Sequence, residues 1–202
     1  NVAGRRCVVV GGGSVATRRA AYLLEAGAHV TVIAPAVSGE LAAMKLHVEQ
    51  RPYQQGDLDG AMLVVIATDD RTVNDAVAAE ARTGRVLVNR TDDPAAGDFS
   101  VPAHAHHGPV TIAVHTCGVS ASAAAAIRRQ LSDALDPDWP AILETVAPFR
   151  AMVQQRIADD ARRQQALARL TGDAAVSAYK QAGAAGLTRF CQQLLDSPPA
   201  GE

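Results

Sequence analysis

Three consecutive glycines, Gly11, Gly12 and Gly13, constrain this chain more than any other stretch. A short apolar run, residues 7–10, leads into them. A helix-compatible stretch, residues 14–25, leaves them and stops at Gly27, and a second strand-like run, residues 29–33, follows. The order is strand, tight turn, helix, strand. Within it, Gly11-x-Gly13-x-x-Ala16 matches the G-x-G-x-x-A form of the dinucleotide-binding fingerprint. Gly11 allows a sharp turn, Gly13 has no Cβ to keep a pyrophosphate away from the backbone, and Ala16 lets helix and strand pack closely. The helix start at Ser14 and Val15 offers free N–H groups and the positive end of the helix dipole to a phosphate. The plainer alternative is a glycine turn that only joins strand to helix. The flanking strands and the helix favour a dinucleotide site.

The same alternation continues along the chain. Helices are expected at 14–26, 38–44 (with Ser38 as N-cap) and 72–83, and strands at 30–33, 47–51, 62–67 and 86–89, with a turn and short helix near 56–59. The 62–67 run is apolar on both parities, which suits a parallel strand buried on both faces. Strands alternating with helices predict an α/β fold, a Rossmann-type doubly wound parallel sheet over residues 1–95. The pattern then changes. Residues 99–104 and 110–115 read as two strands joined through 106–109, and 120–135 as a long alanine-rich helix. This strand-plus-helix segment spans 96–140 and ends at a break over 136–140. Residues 141–202 form a helical C-terminal part, with helices expected at 141–159, 161–170, 173–182 and 188–195 and a tail at Ser197-Pro198-Pro199.

Composition excludes more than it assigns. Aromatics are only 3% of the 202 residues, so the core must be built from Val, Leu, Ile and Ala. A net charge of −2 gives no case for nucleic acid or for an anionic membrane. The three cysteines, Cys7, Cys117 and Cys191, are far apart. They suggest neither a disulfide framework nor a zinc site, and they fit a reducing cytoplasm. No run reads as a membrane span or signal peptide. The chain begins at Asn1 rather than Met, so a few native N-terminal residues are expected to be missing.

Several residues carry candidate chemistry. Thr68 and Asp69 follow the fourth strand, at the edge that borders a dinucleotide, so both are expected to touch the cofactor. Asp70 reads as a helix cap, and Asn74 as a holder of this loop. The acid that usually reads the adenosine ribose at the end of the second strand is missing. Ala34 and Pro35 stand there instead, leaving the ribose to backbone and Ser38, and the residues alone do not choose between NAD⁺ and NADP⁺. His104, His106 and His107 resemble a metal cluster, but no carboxylate or cysteine completes a set, and solvated residues at a strand end are the simpler account. Cys117 is expected to be a small buried residue.

The order of motifs now becomes informative: Val8-Val9-Val10-Gly11-Gly12-Gly13-Ser14-Val15-Ala16-x-Arg18-Arg19, then Val65-Ile66-Ala67-Thr68-Asp69-Asp70-x-x-x-Asn74, Val88-Asn89-x-x-Asp92, Phe99-x-x-Pro102-Ala103, Gly108-Pro109-Val110-Thr111-Ile112-Ala113-Val114 and Ile127-Arg128. Over nearly its whole length the chain resembles the siroheme synthase N-terminal family, the precorrin-2 dehydrogenases, in their stand-alone form. The resemblance implies oxidation of precorrin-2 to sirohydrochlorin with NAD⁺, and in some members insertion of Fe²⁺ as a substrate to give siroheme. It implies a cytoplasmic homodimer, with the 96–140 segment forming much of the interface and the C-terminal helices closing over the tetrapyrrole. It carries a catalytic role onto Asp92, a carboxylate at the sheet edge that can take up the proton lost as hydride leaves. Asp93 reads as a turn residue. Substrate contacts are implied for Thr116, for Ser120 (which also reads as a helix N-cap) and for arginines facing a polycarboxylate, with Arg128, Arg18 and Arg150 as candidates. The segment 115–121 departs from the family pattern, with His115, Cys117 and Ala121 in place of its usual residues.

Two rivals stand beside this reading. A chelatase-only member would have no use for an intact glycine turn. A regulatory protein that senses NAD(H) and performs no chemistry would keep the turn but have no need of Asp92.

Overall fold

The computed structural model describes residues 1–196; the tail expected at 197–199 lies outside them. The chain divides into two compact units, Asn1–Val101 and Pro102–Glu202.

The first unit is a five-stranded sheet in the order β3-β2-β1-β4-β5, with every pair parallel. Its strands are β1 Arg6–Val10, β2 His29–Ile33, β3 His47–Glu49, β4 Leu63–Ile66 and β5 Leu87–Arg90. The expected doubly wound α/β sheet is what forms. β1 is the central strand, β4 lies next to it, and both are buried on both faces, their β-branched residues filling the two sides. Val8, Val10, Val64 and Ile66 enter one core with Val77, Ala78 and Ala81 of helix α3, Arg71–Gly84. Cys7, Val9 and Val65 enter the other with Ala16 and Ala20 of helix α1, Ser14–Glu25. Ala16 is wholly buried, as its place in the fingerprint requires. The short helix α2, Gly39–Ala42, is capped by the Ser38 hydroxyl, which accepts from the Leu41 N–H. No helix forms at 56–59; that loop is folded instead by Arg51, which donates twice to the Asp57 carboxylate at 2.7 and 2.8 Å, and by Arg6, which donates to the Asp57 and Asp59 carbonyls.

The second unit holds an antiparallel pair, β6 Ala103–His107 and β7 Val110–Val114, against which helix α4, Ala121–Ala134, packs. The strand expected at 99–104 is displaced. Phe99 belongs to the first unit's core, and its carbonyl accepts from the Asn89 side chain at 2.8 Å. His106 and His107 lie in the strand, and only Gly108 and Pro109 turn the chain. The break expected over 136–140 is shorter, because helix α5, Trp139–Arg156, places Pro140 in its first turn, where a missing N–H costs nothing. Helix α6, Asp160–Arg169, is capped by Asp159, and helix α7 runs Asp173–Asp196 with a kink at Ala182 and Gly183. Ile142, Val146, Phe149 and Val153 of α5 share a core with Leu170, Leu187 and Cys191. Among the described residues no helix is long and apolar enough to cross a membrane.

Candidate functional site

The strand order reverses between β1 and β4, so the two helices that leave their C-terminal ends diverge and open a crevice, the place where ligands bind in open α/β sheets. The glycine turn leaves β1 there, and the 67–70 loop leaves β4. Two of the three glycines are fixed by the fold. A Cβ on Gly11, at φ +126°, would stand 2.2 Å from the Ala67 carbonyl oxygen, and one on Gly12 would stand 1.9 Å from that of Ala36. Ser38 locks this approach by donating its N–H to the Gly12 carbonyl at 2.9 Å, and its hydroxyl meets that of Thr17 at 2.9 Å.

Gly13 is different. Its φ is −85°, and nothing lies within 4 Å of where its Cβ would stand. It is the N-cap of α1 yet supplies no side-chain cap, and the first turn holds no acidic residue. The N–H groups at the start of α1 therefore have no partner in their own helix, and the space in front of them is clear. A cavity of about 540 Å³ occupies that space, floored by residues 11–15 and walled by 33–36, by 67–70 and by Tyr53. A dinucleotide pyrophosphate fits this cradle: open backbone donors, a positive dipole end and no competing carboxylate. Gly11, Gly13, Ser14, Val15, Ala34, Pro35, Thr68 and Asp69 all line this cavity. Ala16 lies beneath it, buried. The fingerprint assigns no role to Tyr53 and leaves Gly12 as a free position; Gly12 is required by a carbonyl 24 positions downstream, which no local pattern reveals.

A second cavity, of about 460 Å³, is lined by Thr68, Asp69, Arg71, Asn74, Arg90, Asp92 and Asp93. Thr68 and Asp69 border both. Asn74, 1% exposed, accepts from the Thr68 hydroxyl at 2.6 Å and donates to its carbonyl at 3.1 Å. It thus fixes the loop between the two cavities, as its position suggested. Asp70 caps α3 by accepting from the Thr72 and Val73 N–H groups.

Asp92 is not a free carboxylate. Arg90 donates to it through Nε at 3.1 Å and Nη2 at 2.7 Å, and through Nη1 to Asp75 at 2.7 Å. Those hydrogen bonds, joined by one from the Asn74 side chain, hold the Asp92 carboxyl at about 2, against the opposing effect of partial burial. Arg90, buried at the end of β5, belongs to none of the motifs. The available signal was the pair Arg90 and Asp92, two residues apart at a strand end and so on one face.

In the second unit, Thr116 and Ser120 meet. The Thr116 hydroxyl donates to the Ser120 carbonyl at 2.9 Å and accepts from its N–H at 3.2 Å, while Ser120 caps α4 by accepting from the Ala123 N–H. The Thr116 hydroxyl is engaged in closing this loop. Arg128 is half-buried on α4, and Arg18 and Arg150 are exposed. Cys117, expected to be buried, is exposed. The turn needs two left-handed residues, and Cys117 (φ 51°) and Gly118 (φ 83°) supply them. The rings of His104 and His106 lie on one face with centroids 5.3 Å apart. Among the described residues no three His, Cys, Asp or Glu side chains are grouped to hold a metal ion.

A family model described as putative NAD(P)-binding matches residues 1–103, and the chain belongs to that family. Siroheme synthase of Nitrosospira multiformis is 34% identical over 210 residues, which is 98% of this chain and 44% of that protein. Siroheme synthase of Chromobacterium violaceum is 40% identical over 164 residues, 79% of this chain and 35% of that protein. The chain thus spans less than half the length of these relatives. A solved structure named SirC, precorrin-2 dehydrogenase, is similar at 26% identity and a TM-score of 0.72, covering 97% of this chain and 96% of that one. The resemblance carried by the motifs is borne out by these relatives.

Proposed function

We propose that this protein oxidises precorrin-2 to sirohydrochlorin with NAD⁺, as a cytoplasmic enzyme of siroheme synthesis. One observation carries the reading: the cradle at the start of α1 and the cavity that holds Asp92 share a wall, Thr68 and Asp69, so a cofactor and an anionic side chain can serve one substrate. The likeness to SirC over nearly the full length of both chains supports the substrate class.

In this reading NAD⁺, when bound, supplies the hydride acceptor. The chain supplies placement and charge. The free N–H groups after Gly13 bind the pyrophosphate, the Thr68 loop held by Asn74 orients the end that faces the substrate, and Ala34 and Pro35 border the adenosine side. Asp92 accepts the proton that the macrocycle gives up once hydride has left. Its depressed pKa suits that order of events, because loss of hydride leaves a cationic and strongly acidic ring, for which a weak base suffices. Thr116, Ser120 and Arg128 are proposed substrate contacts, with residues 1–95 as the dinucleotide domain, 96–140 as the dimerisation and substrate segment and 141–202 as the helical domain. The protein acts as a homodimer. Helix α4 leaves Ile127 (41%) and Leu131 (49%) exposed one turn apart on one face, an apolar surface suited to a second copy.

The test is direct. Incubate the protein with precorrin-2 and NAD⁺, follow NADH absorbance and sirohydrochlorin, then add Fe²⁺ as substrate and follow siroheme. NADH and sirohydrochlorin in equal amounts are expected. Dinucleotide binding with no NADH formed overturns the reading in favour of a sensor. Siroheme formation from supplied sirohydrochlorin without NADH identifies a chelatase.

A further inference from the structure

Arg90 lies in a place where an arginine needs a reason. Its side chain is 7% exposed, at the end of a strand whose neighbours Val88 and Asn89 are buried. A buried guanidinium is tolerated only when its charge is met and its N–H groups are bonded. Arg90 meets both conditions with two carboxylates. Asp75, on α3, is 59% exposed and takes one nitrogen. Asp92 takes two nitrogens, one on each oxygen. Such a two-point contact fixes the plane of a carboxylate as well as its charge. The Asn74 amide approaches the same carboxylate from α3. The remaining charged groups around the second cavity are Arg71, Asp69 and Asp93. Among the described residues, Arg90 is therefore the one buried cation against Asp92.

We propose that Arg90 is a positioning residue for the reaction, which anchors Asp92 between β5 and α3 and presents it to the second cavity as an anion in one orientation. This rests on the reading of Asp92 as proton acceptor. Arg90 itself touches neither hydride nor proton; it acts through Asp92. The bidentate geometry makes an arginine necessary, because a lysine ammonium is a point charge that restores the ionisation but not the plane.

The experiment compares wild type, Arg90→Met, Arg90→Lys and Asp92→Asn. Two readouts are used: kcat against pH with precorrin-2 and NAD⁺, and titration of the Asp92 carboxyl by ¹³C NMR in the protein without substrate. In Arg90→Met the carboxyl is expected to titrate at or above the ordinary range, about 3.9, instead of near 2. Its kcat is expected to fall roughly 10- to 100-fold through misplacement, with an acid limb displaced upward and KM changed less. In Arg90→Lys, which also serves if the methionine variant does not fold, the titration is expected to move back down while kcat stays below wild type. The proposal is overturned if the Asp92 titration is the same in wild type and variants. It is equally overturned if Arg90 variants keep the wild-type pH profile and kcat while Asp92→Asn is inactive. An active Asp92→Asn protein overturns it by a different route, since that result removes the proton acceptor itself, whatever Arg90 does.

Discussion

Gly13→Ala separates what the glycine turn does for the fold from what it does for a ligand. The structure gives two small opposing effects on stability. An alanine N-cap is worse than glycine by roughly 0.5–1 kcal/mol, and removing a glycine from the unfolded chain returns about 0.4–1 kcal/mol when the native backbone suits the new residue. The backbone does suit it, with φ −85° and no atom within 4 Å of the new methyl. The net change is within about 0.5 kcal/mol, which for a chain of this size moves the melting temperature by less than about 2 °C. Binding behaves otherwise. The methyl group enters the space through which a pyrophosphate reaches the α1 N–H groups, and losing one hydrogen bond to a charged group costs about 1.5–3 kcal/mol. NAD⁺ affinity should fall roughly 10- to 150-fold. Calorimetric titration gives the affinity, and a thermal melt without ligand gives the stability. Wild-type affinity in the variant refutes the placement of the phosphate, and a melt lowered by many degrees refutes the open geometry. Gly12→Ala is the contrast: its Cβ would stand 1.9 Å from the Ala36 backbone oxygen, so the unliganded protein itself should be destabilised.

Asn74→Ala strips the Thr68 hydroxyl and carbonyl of their buried partner, so unfolding in urea should show a loss of about 1–3 kcal/mol, accompanied by weaker dinucleotide binding. The Asp92 pair makes stability pH-dependent with a defined sign. The folded carboxyl titrates at about 2 and the unfolded one near about 3.9, so the stabilisation is complete above about pH 5 and is lost as pH falls toward 2. Urea midpoints between pH 6 and pH 3 should therefore drop more steeply in wild type than in Asp92→Asn. Leu131→Glu should convert the proposed homodimer to monomer in size-exclusion chromatography with light scattering, with an unchanged far-ultraviolet circular dichroism spectrum. A variant that remains dimeric argues against α4 as the interface.

The sequence was most legible where local pattern and tertiary need coincide. β1 and β4 read as buried strands because both faces are packed, and Ala16 and Asp70 read correctly because a close helix contact and a helix cap leave local marks. It was less legible where a distant backbone decides. Phe99 and Val101 have strand-forming side chains, yet the strand begins only at Ala103, because the Asp98 N–H is taken by the Val88 carbonyl at 2.7 Å and the Phe99 carbonyl by Asn89. His106 and His107 look like turn residues and are strand residues, since a two-residue turn at Gly108 and Pro109 suffices. The helices expected at 173–182 and 188–195 form one kinked α7, and Gly186, in the gap between the two expected spans, sits inside it. Its missing Cβ lets it lie against the Ala178 carbonyl, whereas Gly183, at φ +60°, makes the kink.

Asp92 shows most clearly what composition and motif leave unsaid. As a letter it is a carboxylate at a sheet edge, equally fit to be a strong base, a turn cap or a metal contact. Arg90 narrows those options. A carboxylate bonded through both oxygens to a buried guanidinium is held as the anion well below the usual carboxylate range and is a poor proton acceptor toward a neutral carbon or nitrogen acid. On the proposed reading, then, Asp92 does not start the oxidation by pulling a proton. Hydride departure comes first, the fixed negative charge lowers the energy of the cation that forms, and only that cation is acidic enough to protonate Asp92. The prediction that follows concerns order: deuterium at the transferred position of the substrate should slow turnover of the wild type when chemistry limits the rate, while replacing solvent water with D₂O should slow it little. A large solvent effect with no substrate effect would make proton removal the first step and Asp92 a stronger base than its pairing with Arg90 allows.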